Sequence, residues 1–107
     1  MSRNRIQQIE RKMDRIKEEL KQTGAMRPGL LTRQFKDPQR KAGAYWQISY
    51  TRQMKSQTEY VRPEWVTELR RQIATHKRFK RLVDQWVDLS IEHSQLTMRT
   101  AEPGTTR

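Results

Sequence analysis

Five cations in the stretch Arg70–Arg81 are spaced to act together. On a helix turning about 100° per residue, Arg70, Lys77 and Arg81 fall within about 40° of one another, with Arg71 and Arg78 beside them. Cations so placed can sit along a phosphate backbone or enter a major groove. A merely solvated face would interleave carboxylates, and none occurs between residues 69 and 83. A second set lies upstream, in "RQFKDPQRKAGAYW" and "TRQMK". It comprises the loop cations Arg33, Lys36, Arg40 and Lys41 and the outward groups Arg52 and Lys55 near a hairpin tip. Phe35, Tyr45 and Trp46 are interspersed, and aromatics beside Lys and Arg can stack on unpaired bases. A ribbon of strands can also enter a groove.

Other chemistry finds less material. Asp84, Asp88 and Glu92 lie at i, i+4, i+8 on one helix face. No histidine joins them, and Lys80 and Arg81 are one turn from Asp84, so ion pairing is expected before cation binding. His76 and His93 are more than four turns apart and cannot share a metal within one helix. There is no cysteine, no serine in a glycine-flanked elbow and no glycine-rich phosphate loop. The sequence offers no catalytic residue, no metal site and no cofactor site, and a non-enzyme is expected.

Three segments must position these side chains. In residues 3–23, Ile6, Ile9, Met13, Ile16 and Leu20 recur at steps of three and four, the seam of an amphipathic helix, and Gly24 is a plausible stop. Residues 24–62 are broken by Pro28, Gly29, Pro38 and Gly43. They read as a loop with a short strand over 30–35, then a hairpin formed by "AYWQISY" and "SQTEYV". Alternation puts Trp46, Ile48 and Tyr50 on one face, packed on a helix, and sets Thr58 and Tyr60 opposite to Val61. Residues 63–98 begin with Pro63 and Glu64, both suited to a helix start, and contain no further Gly or Pro. Their apolar residues form two tracks. One is Val66, Leu69, Ile73, Val83 and Val87, and the other is Phe79, Leu82, Trp86, Leu89 and Leu96. That pattern predicts one neighbour early in the helix and two late, with a break or bend near 75–78.

Composition sets the bounds. The 107 residues are 33% hydrophobic and 33% charged, enough for one small domain with a sparse core. The formal net charge of +11 favours a polyanionic partner. Residues 24–62 hold eight cations against only Asp37 and Glu59. No apolar run approaches the roughly 20 residues of a bilayer span, and the charged N-terminus lacks a signal peptide's apolar stretch. A cytoplasmic protein without a membrane partner is expected.

"MRPGLLTRQF", "GAYWQISYTRQMKSQTEYV" and "RFKRLVDQWVDLSIEHSQL", in that order, resemble an uncharacterised family of small bacterial and archaeal proteins. Its members carry an Arg-Pro-Gly-x-Leu motif, an aromatic hairpin and a long C-terminal helix with an Arg-Phe pair. The likeness covers about residues 26 to 97. Relatives carry a Cys-rich insert before the aromatic strand, suggestive of a zinc loop. This chain has "KDPQRKAGA" there, so the resemblance carries over no metal role. Association of the family with mobile elements is what the resemblance adds.

The resulting expectation is an α+β chain: an N-terminal amphipathic helix over 1–24, a hairpin or three-stranded sheet with a long helix over 25–98, and a flexible tail over 99–107. The two helices are expected to pack along their seams, with the sheet over the long helix. The expected function is nucleic-acid binding, DNA favoured over RNA, through the eleven cations named above. The rival is an interaction subunit, a homodimer or part of a larger nucleoprotein complex, with Ile6, Ile9, Met13, Ile16, Leu20, Trp86 and Leu89 at the partner interface.

Overall fold

A computed structural model describes residues 2–101, without the side chains of Ser2 and Ala101. Helix α1 spans Ser2–Lys21, strands β1, β2 and β3 span Leu30–Asp37, Ala42–Arg52 and Lys55–Val61, and helix α2 spans Val66–Ala101 after a 3-10 turn at Pro63–Trp65. The strands form one antiparallel sheet in the order β1-β2-β3. The expected α+β architecture is therefore present. β1 runs two residues beyond the expected strand, and α2 is helical through residues 75–78 without a break. Of the expected tail, residues 99–101 continue the helix and 102–107 lie outside the described residues. Among the described residues no helix is long and apolar enough to cross a membrane.

The chain divides into two compact units, and the division falls inside α2: Gly24–Arg78 is one, and Met1–Thr23 with Phe79–Arg107 is the other. In the first, period-two alternation makes one sheet face apolar. Ile48 is fully buried, Val61 nearly so, and both pack with Val66 and Leu69 of α2, with Leu31, Trp46 and Ile73 at the margin. Full burial of one such side chain is worth about 1.5–3 kcal/mol.

The turns show how the sheet closes. β2 and β3 are joined by Gln53 and Met54 alone, and both have positive φ, 52° and 64°. Such a two-residue loop matches the strand twist and normally recruits Asn and Gly. Lys41 (φ 52°), between β1 and β2, and Gly43 (φ 69°), at the start of β2, take left-handed conformations, and the Arg40 amide donates to Asp37 Oδ1 at 3.3 Å.

The Arg27-Pro28-Gly29 motif is structural. Gly29 has φ 147°, and a Cβ there would lie 2.7 Å from Ile48 Cγ1 and 2.9 Å from Ile48 Cδ1. Only glycine lets this backbone come so close to the most buried residue of the sheet. Arg27 ties three elements together: its amide donates to the Gln72 carbonyl (3.1 Å), its Nη2 pairs with Glu59 (2.7 Å), and its guanidinium lies over Tyr50 (5.3 Å).

In the second unit, α1 buries Ile9 and Ile16, and α2 buries Leu82. Arg5 donates from Nε and Nη2 to the two Glu92 oxygens at 2.8 and 2.9 Å. His93 Nε2 lies 2.9 Å from Glu10 Oε2, and the Lys17 ammonium sits 5.4 Å from the Trp86 ring. Low numbers on α1 meet high numbers on α2, so the two helices run antiparallel here.

Candidate nucleic-acid interface

The structure separates the expected cations into groups with different surroundings. On α2, Arg70 is exposed, with its guanidinium 5.2 Å from the centre of the Trp46 ring. Arg71 is bound to Glu68, one residue outside the carboxylate-free window, and Glu68 also accepts from Gln72 at 2.9 Å. The bond to Arg71, followed by that to Gln72, holds the Glu68 carboxyl below its usual range. Lys77 and Arg78 are exposed. Arg81 is exposed too, on the part of α2 that belongs to the other unit.

On the sheet, β1 and β2 carry Lys36 and the turn residues Arg40 and Lys41 at one end. Arg52 and Lys55 form a register pair beside the two-residue turn at the other. Arg40 has a weak contact with Asp37 (3.8 Å), and the Arg33 guanidinium lies 5.5 Å from the Phe35 ring. Strand alternation places Arg33, Arg52 and Lys55 on the same side as Trp46, Ile48 and Tyr50. Arg52 and Lys55, at the hairpin tip, are both exposed.

Lys36 is on the other side. Its stem crosses Gly43, where a Cβ would stand 3.0 Å from Lys36 Cβ. On that outer side Tyr45 and Tyr60 meet Lys36, Gly43 and Ala44 around a shallow depression. The hydroxyl and amide groups nearby bond among themselves: Gln34 to Thr32 (3.1 Å), Ser49 with Thr58 (3.3 Å) and Thr51 with Ser56 (3.4 Å). Sequence reasoning noticed Tyr45 only as one aromatic among cations and placed Tyr60 by alternation without a role. The usable signal was the strand phase set by Ile48 and Val61.

The acids and the seam come out differently from expectation. Glu92 pairs with Arg5 of α1, which holds its carboxyl below the usual range. Among the described residues, neither Lys80 nor Arg81 forms an ion pair with Asp84. No group of three metal-ligating side chains occurs among the described residues. Of the seven residues assigned to a partner interface, Ile9 and Ile16 are covered by the chain itself, since α1 packs on α2. Ile6, Met13, Leu20, Trp86 and Leu89 are half-buried. Trp86 lines an apolar groove with Val83, Val87, Ser90 and Ile91. Val87 and Ile91 are half-exposed there, and within this unit the late part of α2 packs on α1.

No protein-family model, curated protein or solved structure matches the chain.

Proposed function

We propose a cytoplasmic, non-enzymatic nucleic-acid-binding protein, accessory to a mobile-element or other nucleoprotein machine. The observation that carries this reading is the state of the cations in the unit Gly24–Arg78. Arg33, Lys36, Lys41, Arg52, Lys55 and Lys77 are exposed and make no ion pair among the described residues, while the few carboxylates there are committed to Arg27, Arg40, Arg62 and Arg71. Unpaired cations cost self-repulsion in the free chain, and a phosphate backbone relieves it. Arg71 contributes less than the sequence implies, because its guanidinium is bound to Glu68.

Fluorescence anisotropy with labelled duplex DNA, single-stranded DNA and RNA across a salt series tests the reading. Six phosphate contacts on duplex DNA give a slope of log affinity against log salt of about −5. Binding to none of the three, or binding independent of salt, refutes it.

A second reading, an interaction subunit, is favoured by the apolar groove along Val83, Trp86, Val87 and Ile91. Sedimentation of the isolated chain discriminates: a monomer across the micromolar range weakens that reading.

A further inference from the structure

We propose that the outer face of the sheet, the side away from Ile48, binds unpaired bases, with Tyr60 and Tyr45 as stacking platforms and Lys36 beside them for a phosphate. This rests on the nucleic-acid reading above and names the form of nucleic acid and the surface that takes it.

Three observations lead to this face. The first is charge. Alternation from Ile48 and Val61 assigns to it every second residue of each strand, and the only ionised side chain among those strand residues is Lys36. The sheet's two carboxylates, Asp37 and Glu59, fall on the opposite side. A face with one cation and no carboxylate suits a polyanion.

The second is the state of the aromatic rings. Tyr60 is 67% exposed at the edge strand, and its register partner is Gln47. Tyr45 is two residues along β2 from Gln47, diagonal to Tyr60, and the two rings share one depression with Lys36. Among the described residues neither tyrosine hydroxyl has a hydrogen-bond partner, whereas Tyr50 on the opposite face donates to Glu59 at 2.8 Å. The Tyr60 ring therefore has a face open for stacking. Lys36 is held at the rim by Gly43, whose missing Cβ lets the lysine stem cross the neighbouring strand.

The third separates unpaired bases from a duplex groove. Groove readout needs free amides and hydroxyls to meet base edges. Here Gln34–Thr32, Ser49–Thr58 and Thr51–Ser56 already satisfy one another. The two aromatic rings, and Gln47 as the register partner of Tyr60, make no such bond among the described residues. Rings on adjacent strands of an open sheet take successive splayed bases by stacking, and a neighbouring amide can bond a base edge. The sequence preference of such a face is weak, because every base has a π surface.

The test uses the full chain and oligonucleotides of about 15 residues: oligothymidylate, a mixed single strand, and the mixed strand annealed to its complement. The wild type should bind the single strands more tightly than the duplex at elevated salt, where phosphate contacts are screened. Tyr60→Ala and Tyr45→Ala should each weaken single-strand binding about 5- to 150-fold, the range for one lost base–aromatic stack. Tyr60→Phe should keep it, because the ring remains. Duplex binding should change less than about twofold, and circular dichroism spectra should be unaltered. Single-strand binding that survives both alanine variants overturns the proposal while leaving salt-dependent nucleic-acid binding intact. So does an equal loss on duplex. Absence of binding to every probe overturns the nucleic-acid reading itself.

Discussion

Replacing Gly29 by alanine tests how the sheet core is closed. Two costs arise together. The backbone at φ 147° is one that a residue with a Cβ rarely adopts, and holding it there costs about 1–3 kcal/mol. The new methyl would also stand 2.7 and 2.9 Å from two carbons of Ile48, which is fully buried and cannot swing away. Overpacking of that kind costs about 1–3 kcal/mol more. The expected loss is therefore about 2–6 kcal/mol, and at about 4–8 °C per kcal/mol for a unit of this size the melting temperature falls by about 8 °C or more. The two costs separate in a double-mutant cycle. Ile48→Ala alone costs about 2–5 kcal/mol by opening a cavity, but in Gly29→Ala/Ile48→Ala the crowding disappears while the backbone strain remains. The double variant should be more stable than the sum of the singles predicts, by about 1–3 kcal/mol. Urea denaturation followed by tryptophan fluorescence, with Trp46 at the core margin, reads each corner of the cycle. Additivity within about 0.5 kcal/mol would show that the contact with Ile48 does not hold this glycine in place. A loss below about 1 kcal/mol for the single variant would refute the backbone argument as well.

Other perturbations follow from the same geometry. Glu59 has its carboxyl pKa lowered, first by the bond from Arg27 and then by that from Tyr50. Its contribution to stability is therefore complete above the unfolded glutamate value of about 4.3 and disappears as pH falls through the lower folded value. Arg27→Gln should raise the Glu59 pKa in a carboxyl NMR titration and reduce the stability lost on acidification. Lys36→Gln and Lys41→Gln should each reduce the magnitude of the salt slope by about 1, while Arg71→Gln, whose guanidinium is bound to Glu68, should change it less. Gln53→Asn with Met54→Gly should stabilise the β2–β3 hairpin by about 0.4–1 kcal/mol, seen as a higher melting temperature, because both positions have positive φ.

The sequence periodicities read most of the fold. Steps of three and four from Ile6 to Leu20 located α1, and the alternation of Trp46, Ile48 and Tyr50 located β2 and its buried face. The uninterrupted run after Pro63 gave α2. Long-range pairing was what local pattern could not supply. Nothing in Arg70 or Arg71 taken alone distinguishes a solvent-facing guanidinium from one stacked on Trp46 or bound to Glu68. Glu68 lay one residue outside the window inspected for carboxylates. Arg27 looked like part of a turn, and its role depends on Glu59, Tyr50 and Gln72, residues 23 to 45 positions away that only folding brings to it. Arg52 and Lys55 are exposed at the hairpin tip, and strand phase carried to the end of β2 shows that they share the side of Ile48. The outer-face tyrosines were within reach of the sequence had that phase been followed from Ile48.

The order β1-β2-β3 has a bearing on solubility. The middle strand carries no charged residue until Arg52, and "AYWQISY" is rich in β-branched and aromatic residues with no proline. A segment of that kind, exposed on its own, templates strand addition between molecules. In the sheet both its edges are paired. The strands that do face outward are interrupted by charge, Arg33 and Lys36 in β1 and Lys55 and Glu59 in β3, which discourages edge-to-edge growth. Detachment of β1 alone would uncover the aromatic strand, so aggregation on mild heating should follow the loosening of β1 and not the melting of α1.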